Sequence, residues 1–187
     1  EDGLGQELIL LLLHQGVVEE VEDILHGRVV LFALNDTVAA GGVRSAGLEE
    51  QNLEGLTLTD MTFAHTAGFA VQSGDIRNAV FENIRFESCY ADGLHLNGCS
   101  ENILARDIKG EVGDDLVALN MYDWQDSSVN FGPTRCVWCE GLDLYASSPY
   151  KALRIEPGVY YFDDGSSVDC GLFDAVIRDV RGISTFK

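Results

Sequence analysis

The chain has 187 residues, of which 46% are hydrophobic, so it is long enough to bury the core of one domain and is not composed like a disordered protein. Its 31 acidic and 12 basic residues give a formal net charge of −19. This charge argues against nucleic acid and against anionic membrane surfaces as partners, since both are recognised through basic patches.

The first 50 residues differ in character from the rest of the chain. Residues 7–25 mix leucines with acidic residues, which predicts a helix interrupted at Gly16. The longest apolar run there is far shorter than the roughly 20 residues of a membrane span. Residues 27–43 are typical of one or two strands with a glycine turn. We interpret residues 1–50 as an N-terminal segment whose helix caps the open end of a stack of strands. A remnant of another domain is the alternative.

A repeated pattern of short strands begins after residue 50. Each copy has an alternating strand with Asp or Asn at its sixth position, then a large apolar residue, then a short second strand. Three copies begin at Gly55, Asn78 and Asn102, which are 23 and 24 residues apart. Looser copies begin at Cys136 and Phe173, and the second strand of the last copy is missing.

The regular spacing of these strands predicts the fold. Strands rich in Thr, Val, Ile and Phe at a fixed pitch indicate a stacked array. We therefore predict an all-β protein in which residues 51–187 form a right-handed parallel β-helix, truncated at its C-terminal end. Parallel stacking places equivalent residues in columns, and we expect Gln72, Asn97 and Asn120 to form one polar ladder.

The five cysteines show no recognisable framework. Cys136 and Cys139 form a single CxxC motif without a partner pair, whereas a zinc site needs four ligands. We expect thiols that fill the interior of the stack, and no metal or cofactor.

Three aspartates stand at matching places just before the second strands. Asp92 precedes one such strand, and Asp114 and Asp115 precede the next one a repeat later. Adjacent strands of a sheet are about 4.8 Å apart, so we expect the three carboxylates to share one patch of surface. Like charges that close raise at least one pKa, as a general acid near neutral pH requires. Turn chemistry, which favours Asp beside Gly, is the alternative.

Three motifs in this region resemble the signatures of family 28 glycoside hydrolases, the polygalacturonases. They are Tyr90-Ala-Asp-Gly-Leu-His95, Gly113-Asp-Asp115 and Arg154-Ile-Glu156, in the order found in the family. The resemblance covers roughly residues 52–187. It implies a right-handed parallel β-helix that hydrolyses a polysaccharide with inversion of configuration, in an extracellular or periplasmic setting.

The resemblance also implies roles for particular residues. By position, Asp114 would be the general acid, while Asp92 and Asp115 would hold and activate the attacking water. Inversion requires acid and base carboxylates about 6.5–9.5 Å apart, so that water fits between them. Arg154 matches the family's substrate-binding arginine, and Lys151 is a further candidate for substrate binding. No metal is implied.

Four features depart from the family pattern, the first being Tyr90 and Ala91 in place of Asn-Thr. His95 stands where the family has a second Asp, and the family's Gly-His-Gly segment has no counterpart after Asp115. His95 borders the column of Asp92, so it is a candidate to replace the missing histidine and to contact substrate. Glu156 stands where the family has a lysine that helps to neutralise a uronic acid. We therefore expect a neutral or less acidic glycan rather than polygalacturonate.

Aromatic residues add a candidate wall for a sugar-binding cleft. Tyr122 and Trp124 closely follow Asp115 in a loop that leads into a polar stretch. Aromatic rings stack on pyranose faces, although packing and loop anchoring explain aromatic residues equally well.

Two other classes of function remain open from the sequence. One is a non-catalytic β-helix that binds glycans or serves as a structural or adhesive module, because the family's histidine is missing and Glu156 replaces its lysine. The other is a calcium-dependent lyase that uses Lys151 or Arg154 as a base. Convergence of the three aspartates beside Arg154 favours hydrolysis, whereas side chains on separate turns favour the binding module. We expect a monomer whose partner is a polysaccharide or an oligosaccharide.

Overall fold

A computed structural model describes residues 30–32, 48–51, 54–123 and 130–182 of the chain. These residues form strands and contain no helix, so the all-β prediction is confirmed for them. The helix predicted within residues 7–25 lies outside the described residues, as does most of the proposed N-terminal cap. No helix long and apolar enough to cross a membrane occurs in the described ranges.

The described strands are numbered in chain order. They are β1 (Val30–Phe32), β2 (Leu48–Gln51), β3 (Thr57–Thr59), β4 (Thr62–Ala64), β5 (Val71–Gly74), β6 (Arg77–Cys89), β7 (Leu94–Asn97), β8 (Glu101–Val112), β9 (Val117–Asn120), β10 (Thr134–Leu144), β11 (Leu153–Ile155), β12 (Gly158–Tyr161), β13 (Ser167–Cys170) and β14 (Leu172–Arg181).

Most of these strands belong to two parallel sheets. The wide sheet has the order β1-β4-β6-β8-β10-β14, with β3 also paired to β6. The narrow sheet has the order β11-β9-β7-β5-β2. From β6 to β11 the chain alternates between the two sheets, and each strand pairs in parallel with its equivalent one repeat later. Strands β12 and β13 form a separate antiparallel pair.

The register of the wide sheet agrees with the predicted repeats. Thr57 pairs with Val80, and Val80 pairs with Leu104, which places Gly55, Asn78 and Asn102 at equivalent positions. The last repeat was misaligned by one residue. Arg135 pairs with Phe173, so Asp174 rather than Phe173 is equivalent to Cys136.

The predicted polar ladder on the narrow sheet is only partly correct. Asn97 and Asn120 are paired as expected, but Gln72 lies in the column of His95 rather than in theirs. Gln72 reaches Asn97 diagonally, with its amide nitrogen 3.2 Å from the Oδ1 atom. Asn97 in turn donates to the backbone carbonyl of Asn120 rather than stacking on its amide. The prediction failed for Gln72 because the loop before β5 places it two residues out of register with Asn97.

Each long strand of the wide sheet contains two left-handed bends that recur in every repeat. The first bend is formed by Gly55, Asn78, Asn102, Cys136 and Asp174, and the second by Asp60, Asn83, Asp107, Gly141 and Asp179, all with positive φ. Glycine adopts this conformation freely, and Asn and Asp tolerate it better than other side chains. The Asp or Asn at the sixth position of each repeat therefore marks a bend.

A single hydrophobic core contains residues of both sheets. Phe63, Phe81 and Phe86 of the wide sheet are fully buried in the same cluster as Leu94 and Leu119 of the narrow sheet. Burial of each such side chain contributes roughly 1.5–3 kcal/mol. The alternation of apolar residues along the long strands therefore fixes which face of each strand points inward.

The cysteines are free thiols with different surroundings. Cys89, Cys139 and Cys170 are buried, as expected for thiols that fill the interior, and burial raises the pKa of Cys139 to about 12. Cys136 is exposed and occupies a left-handed bend, whereas Cys139 is buried. The two thiols of the CxxC motif therefore have different surroundings.

Candidate active site

The residues just before the narrow-sheet strands form a column of backbone and carboxylate contacts. Leu94, Val117 and Leu153 are in register, so Asp92, Asp115 and Lys151 are equivalent positions two residues earlier. Asp92 Oδ1 accepts a hydrogen bond of 2.8 Å from the backbone N–H of Asp115. Asp115 Oδ1 accepts one of 3.2 Å from the backbone N–H of Lys151. Each aspartate therefore fixes the position of the next repeat, which is the turn role considered above.

Two glycines beside these aspartates allow the repeats to approach closely. A Cβ atom at Gly93 would lie 2.5 Å from the carbonyl oxygen of Leu116. A Cβ atom at Gly113 would lie 2.0 Å from the carbonyl oxygen of Tyr90. Both separations are far below ordinary contact, so any side chain there would push the stacked backbones apart.

The three predicted carboxylates converge. Asp92, Asp114 and Asp115 each offer an oxygen that lies within 4.8 Å of the others. Asp92 and Asp115 are 2% and 0% exposed, while Asp114 is half-buried. We call these residues the carboxylate cluster. The predicted convergence is therefore found, but Asp92 and Asp115 are buried rather than part of a surface patch.

Burial and mutual repulsion perturb the cluster. Burial, followed by the charges of Asp92 and Asp114, raises the pKa of Asp115 to about 6. Burial and the charge of Asp92 also raise the pKa of Asp114 above its usual range. Asp114 and Asp115 are neighbours that titrate as a unit, so the proton retained in mildly acidic solution belongs to this pair rather than to one residue.

Two cations border the carboxylate cluster. The charges of Lys151 and Arg154 oppose the rise in the pKa of Asp114 and of Asp115. Arg154 Nη1 is 3.9 Å from Asp115 Oδ2, and the same guanidinium forms an ion pair with Glu156. Asp115 Oδ2 has no hydrogen-bond partner among the described residues. The predicted convergence beside Arg154 therefore occurs, with Glu156 already attached to that arginine.

His95 lies against the cluster but is buried. It is 1% exposed, and its Nδ1 atom is 2.6 Å from Asp92 Oδ2. The Nε2 atom is 3.2 Å from Asp123 Oδ2, and the ring stacks on Phe69 at a centroid distance of 3.9 Å. The expectation that His95 borders Asp92 is confirmed. Its burial, however, does not fit the predicted direct contact with substrate.

Asp123 is a site residue that sequence reasoning missed. It is 6% exposed and accepts a hydrogen bond of 3.1 Å from the side-chain amide of Asn120. Asp123 lies beyond the end of β9 and outside the repeated pattern, so the spacing of the repeats did not predict its place in the site. Its only signal in the sequence was its position three residues after the end of a second strand.

The aromatic loop is described only in part. Tyr122 is 39% exposed, and its ring packs against Gly158 and lies 6.1 Å from the Phe131 ring. Its backbone N–H donates to the carbonyl oxygen of Glu156 at 3.0 Å, which places it at the Arg154 side of the site. Trp124 lies outside the described residues, so its predicted contact with sugar stays a prediction.

Metal binding and acid–base chemistry are the two uses that such carboxylates suggest. Within the described ranges, the carboxylate cluster is the one group of ligand atoms close enough to hold a metal ion. Lys151 and Arg154 contribute positive charge at the same place, which disfavours a bound cation. The raised pKa values of Asp114 and Asp115 favour a proton instead.

Comparison of the chain with protein-family models, with curated proteins and with solved structures finds no match in any of the three. A proposal for the chemistry of this site therefore rests on its residues and the distances between them.

Proposed function

We propose that the protein is a glycoside hydrolase of the polygalacturonase type, built as a right-handed parallel β-helix. Parallel pairing throughout both main sheets and the regular alternation between them support this fold. The observation that carries the function is the half-buried Asp114 beside two buried carboxylates, with a raised pKa. By the family resemblance, we also place the protein in an extracellular or periplasmic setting.

In the proposed reaction the three carboxylates divide the work. Asp114, the most accessible of them, donates its proton to the glycosidic oxygen as the bond from that oxygen to the anomeric carbon breaks. Asp92 and Asp115 hold a water molecule and take one of its protons as the water oxygen bonds to the anomeric carbon. The net change is one water consumed, and solvent returns the proton to Asp114. Lys151 and Arg154 bind sugar hydroxyls at the edge of the site.

The stereochemical course is a separate question. The resemblance implies inversion, which generally accompanies carboxyl groups about 6.5–9.5 Å apart. The nearest oxygens of the carboxylate cluster lie within 4.8 Å, which is closer to the spacing of retaining enzymes. Proton NMR of the first anomer released distinguishes the two courses.

The charge of the site favours a neutral or less acidic glycan as substrate. Arg154 is the cation best placed to bind a sugar carboxylate, and Glu156 already forms an ion pair with it. A uronic acid would have to displace Glu156 and approach a chain of net charge −19. A preference for polygalacturonate over neutral polysaccharides would contradict this assignment.

Release of reducing sugar from a panel of neutral and acidic polysaccharides tests the function. We expect activity in the wild type and a loss of about 100-fold or more in Asp114→Asn, since a general acid contributes that much. Asp107→Asn is the matched control, because Asn83 shows that its bend accepts Asn. Equal activity in the wild type and in Asp114→Asn would overturn the role of Asp114.

A non-catalytic glycan-binding module is the second candidate. It is favoured by one observation, namely that Asp92 and Asp115 each hold a backbone N–H and so have a structural use without catalysis. This candidate predicts glycan binding by both the wild type and Asp114→Asn, with no release of sugar by either.

A further inference from the structure

Among the described residues, three buried side chains form a continuous polar chain. They are Asp123, His95 and Asp92. All three are less than 10% exposed, and the imidazole lies between the two carboxylates at 3.2 and 2.6 Å. Phe69 stacks on the ring at 3.9 Å and fixes its plane. This arrangement is independent of the repeats, because Ala118 occupies the column of His95 one repeat later.

The contacts of the ring indicate its protonation state. A neutral imidazole has one N–H and can donate to only one of the two carboxylates, whereas an imidazolium donates to both. Burial alone would lower the pKa of His95, but the hydrogen bonds to Asp123 and Asp92 outweigh it and raise the pKa. The Asn97 amide lies 3.3 Å from Nε2, yet it also donates to the Asn120 carbonyl at 3.2 Å. Nε2 is slightly closer to Asp123 Oδ2, at 3.2 Å, and an imidazolium donates its second proton to that carboxylate.

Asp92 faces a hydrogen-bond donor at each of its two carboxylate oxygens, whereas Asp115 does so at only one. Its Oδ2 atom faces His95 Nδ1, and its Oδ1 atom accepts the backbone N–H of Asp115. Donors on both oxygens favour the carboxylate over the carboxylic acid. Asp115 accepts one backbone hydrogen bond and has an Oδ2 atom without a hydrogen-bond partner among the described residues.

We propose that Asp123 and His95 act as a positioning pair that holds Asp92 as an anion, so that Asp92 takes the proton of water while the Asp114–Asp115 pair retains the proton given to the leaving group. This inference rests on the proposed function for its catalytic consequence. The charge state of the Asp92–His95–Asp123 chain is a property of the folded protein and does not depend on that function.

Other charged groups act on this chain and set its response to pH. Asp114, Asp115 and Arg154 interact electrostatically with members of this chain, and Lys151 acts on Asp114 and Asp115 beside it. Because the pKa of His95 is raised, the imidazolium persists above the ordinary titration range of histidine and is lost only at higher pH. Deprotonation leaves one N–H for two carboxylates and removes the positive charge beside Asp92, which lowers activity on the alkaline side.

The test combines NMR of the ring nitrogens with kinetics on the intact chain. Nitrogen-15 shifts of His95, assigned by their absence in His95→Gln, are followed against pH in the wild type and in Asp123→Asn. We expect an imidazolium at pH 7 in the wild type and a titration midpoint lower by about one pH unit or more in Asp123→Asn. His65→Gln, at an exposed histidine, is the control that should leave the His95 titration unchanged.

Kinetics supply the second measurement. We expect Asp123→Asn to lower kcat by about tenfold with KM within about twofold, and to shift the alkaline limb of the pH profile to lower pH. A wild-type His95 that is neutral at pH 7, or a titration unaffected by Asp123→Asn, would overturn the inference. If the wild type hydrolyses no glycan, the proposed function fails, and the NMR titration alone then decides the charge state of the chain.

Discussion

Two columns of charged side chains cross the stacked repeats, one on the wide sheet and one beside the narrow sheet, and they differ in sign and burial. On the wide sheet, Glu82, Arg106, Glu140 and Arg178 are paired in register. We call them the exposed ladder. Their signs alternate, so Arg106 pairs with Glu82 and Arg178 with Glu140. Just before the narrow-sheet strands, Asp92 and Asp115 are adjacent in the column that continues to Lys151, and both are buried and of the same sign.

The two columns differ in what their charges contribute to stability. Opposite charges on neighbouring strands stabilise a parallel register, and solvent around the exposed ladder limits their contribution. In the other column, burial and the like charges of Asp92 and Asp114 both disfavour the ionised form of Asp115 and raise its pKa to about 6. A stack selected for stability alone would alternate signs in both places. The buried column is therefore the better candidate for function.

Removal of one buried charge should have the largest effect. We expect Asp115→Asn to lower activity by about 100-fold or more, because in the proposed reaction Asp115 holds the attacking water. The same variant should be more stable than the wild type at pH 7 by about 1–3 kcal/mol, since the folded state no longer disfavours an ionised carboxylate. Reducing-sugar assays and urea unfolding measure the two effects.

The size of the stability gain in Asp115→Asn depends on pH. The pKa of Asp115 is about 6 in the fold against an ordinary value near 3.8, so ionisation opposes folding only as the pH rises through that range. The gain in Asp115→Asn should be full above pH 6 and should vanish towards pH 4. A variant that is less stable than the wild type at pH 7 would show that the carboxylate stabilises the stack.

A substitution that pushes apart the two repeats containing Asp92 and Asp115 should have the next largest effect. We expect Gly93→Ala to destabilise the fold by about 1–3 kcal/mol, because its Cβ atom would lie 2.5 Å from the Leu116 carbonyl oxygen. Activity should fall as well, since Asp92 moves away from Asp115. Gly55→Asn is the control, because its bend accepts Asn in later repeats and nothing lies within 4 Å of the added Cβ atom. Thermal unfolding that is equal in both variants would contradict close packing at Gly93.

Reversal of charge at the edge of the buried column should have a moderate effect. We expect Glu156→Lys to release Arg154 from its ion pair and to shift preference towards acidic glycans by about tenfold in kcat/KM. Competition between a neutral and an acidic polysaccharide measures the shift. An unchanged ratio would show that Arg154 does not contact the substrate.

Removal of one charge from the exposed ladder should have the smallest effect. We expect Arg106→Gln to leave activity unchanged and to lower the melting temperature only slightly, because solvent screens its pair with Glu82. Circular dichroism during heating provides the measurement. A large drop in melting temperature would mean that the exposed ladder carries the register, and the contrast between the two columns would then be lost.

The periodic part of the structure was predictable from the sequence because a repeat shows itself in spacing. Asp60, Asn83 and Asp107 recur at one position, and all three are left-handed bends. The meeting of Asp92 with Asp115 followed from the same spacing, since the register makes them equivalent, and Asp114 is the neighbour of Asp115 in the chain.

The remainder of the site depends on loops that have no period. Asp123 was missed because its contact with His95 comes from a chain segment that turns back after β9. The burial of His95 was also unpredictable, since it requires the Phe69 ring above it. Gln72 was misplaced for a related reason, because the preceding loop sets its register.

Because the left-handed bends recur once in each repeat, the stack can be lengthened or shortened by whole repeats. Their columns accept Gly, Asn, Asp and Cys without a change of backbone, so a copied repeat would find its bends already compatible with both neighbours. Duplication of residues 55–77 would insert one complete rung ahead of the buried column and lengthen the stack by about 4.8 Å. A gene for such a protein can therefore grow or shrink by recombination between repeats while the repeats that contain the carboxylate cluster stay untouched.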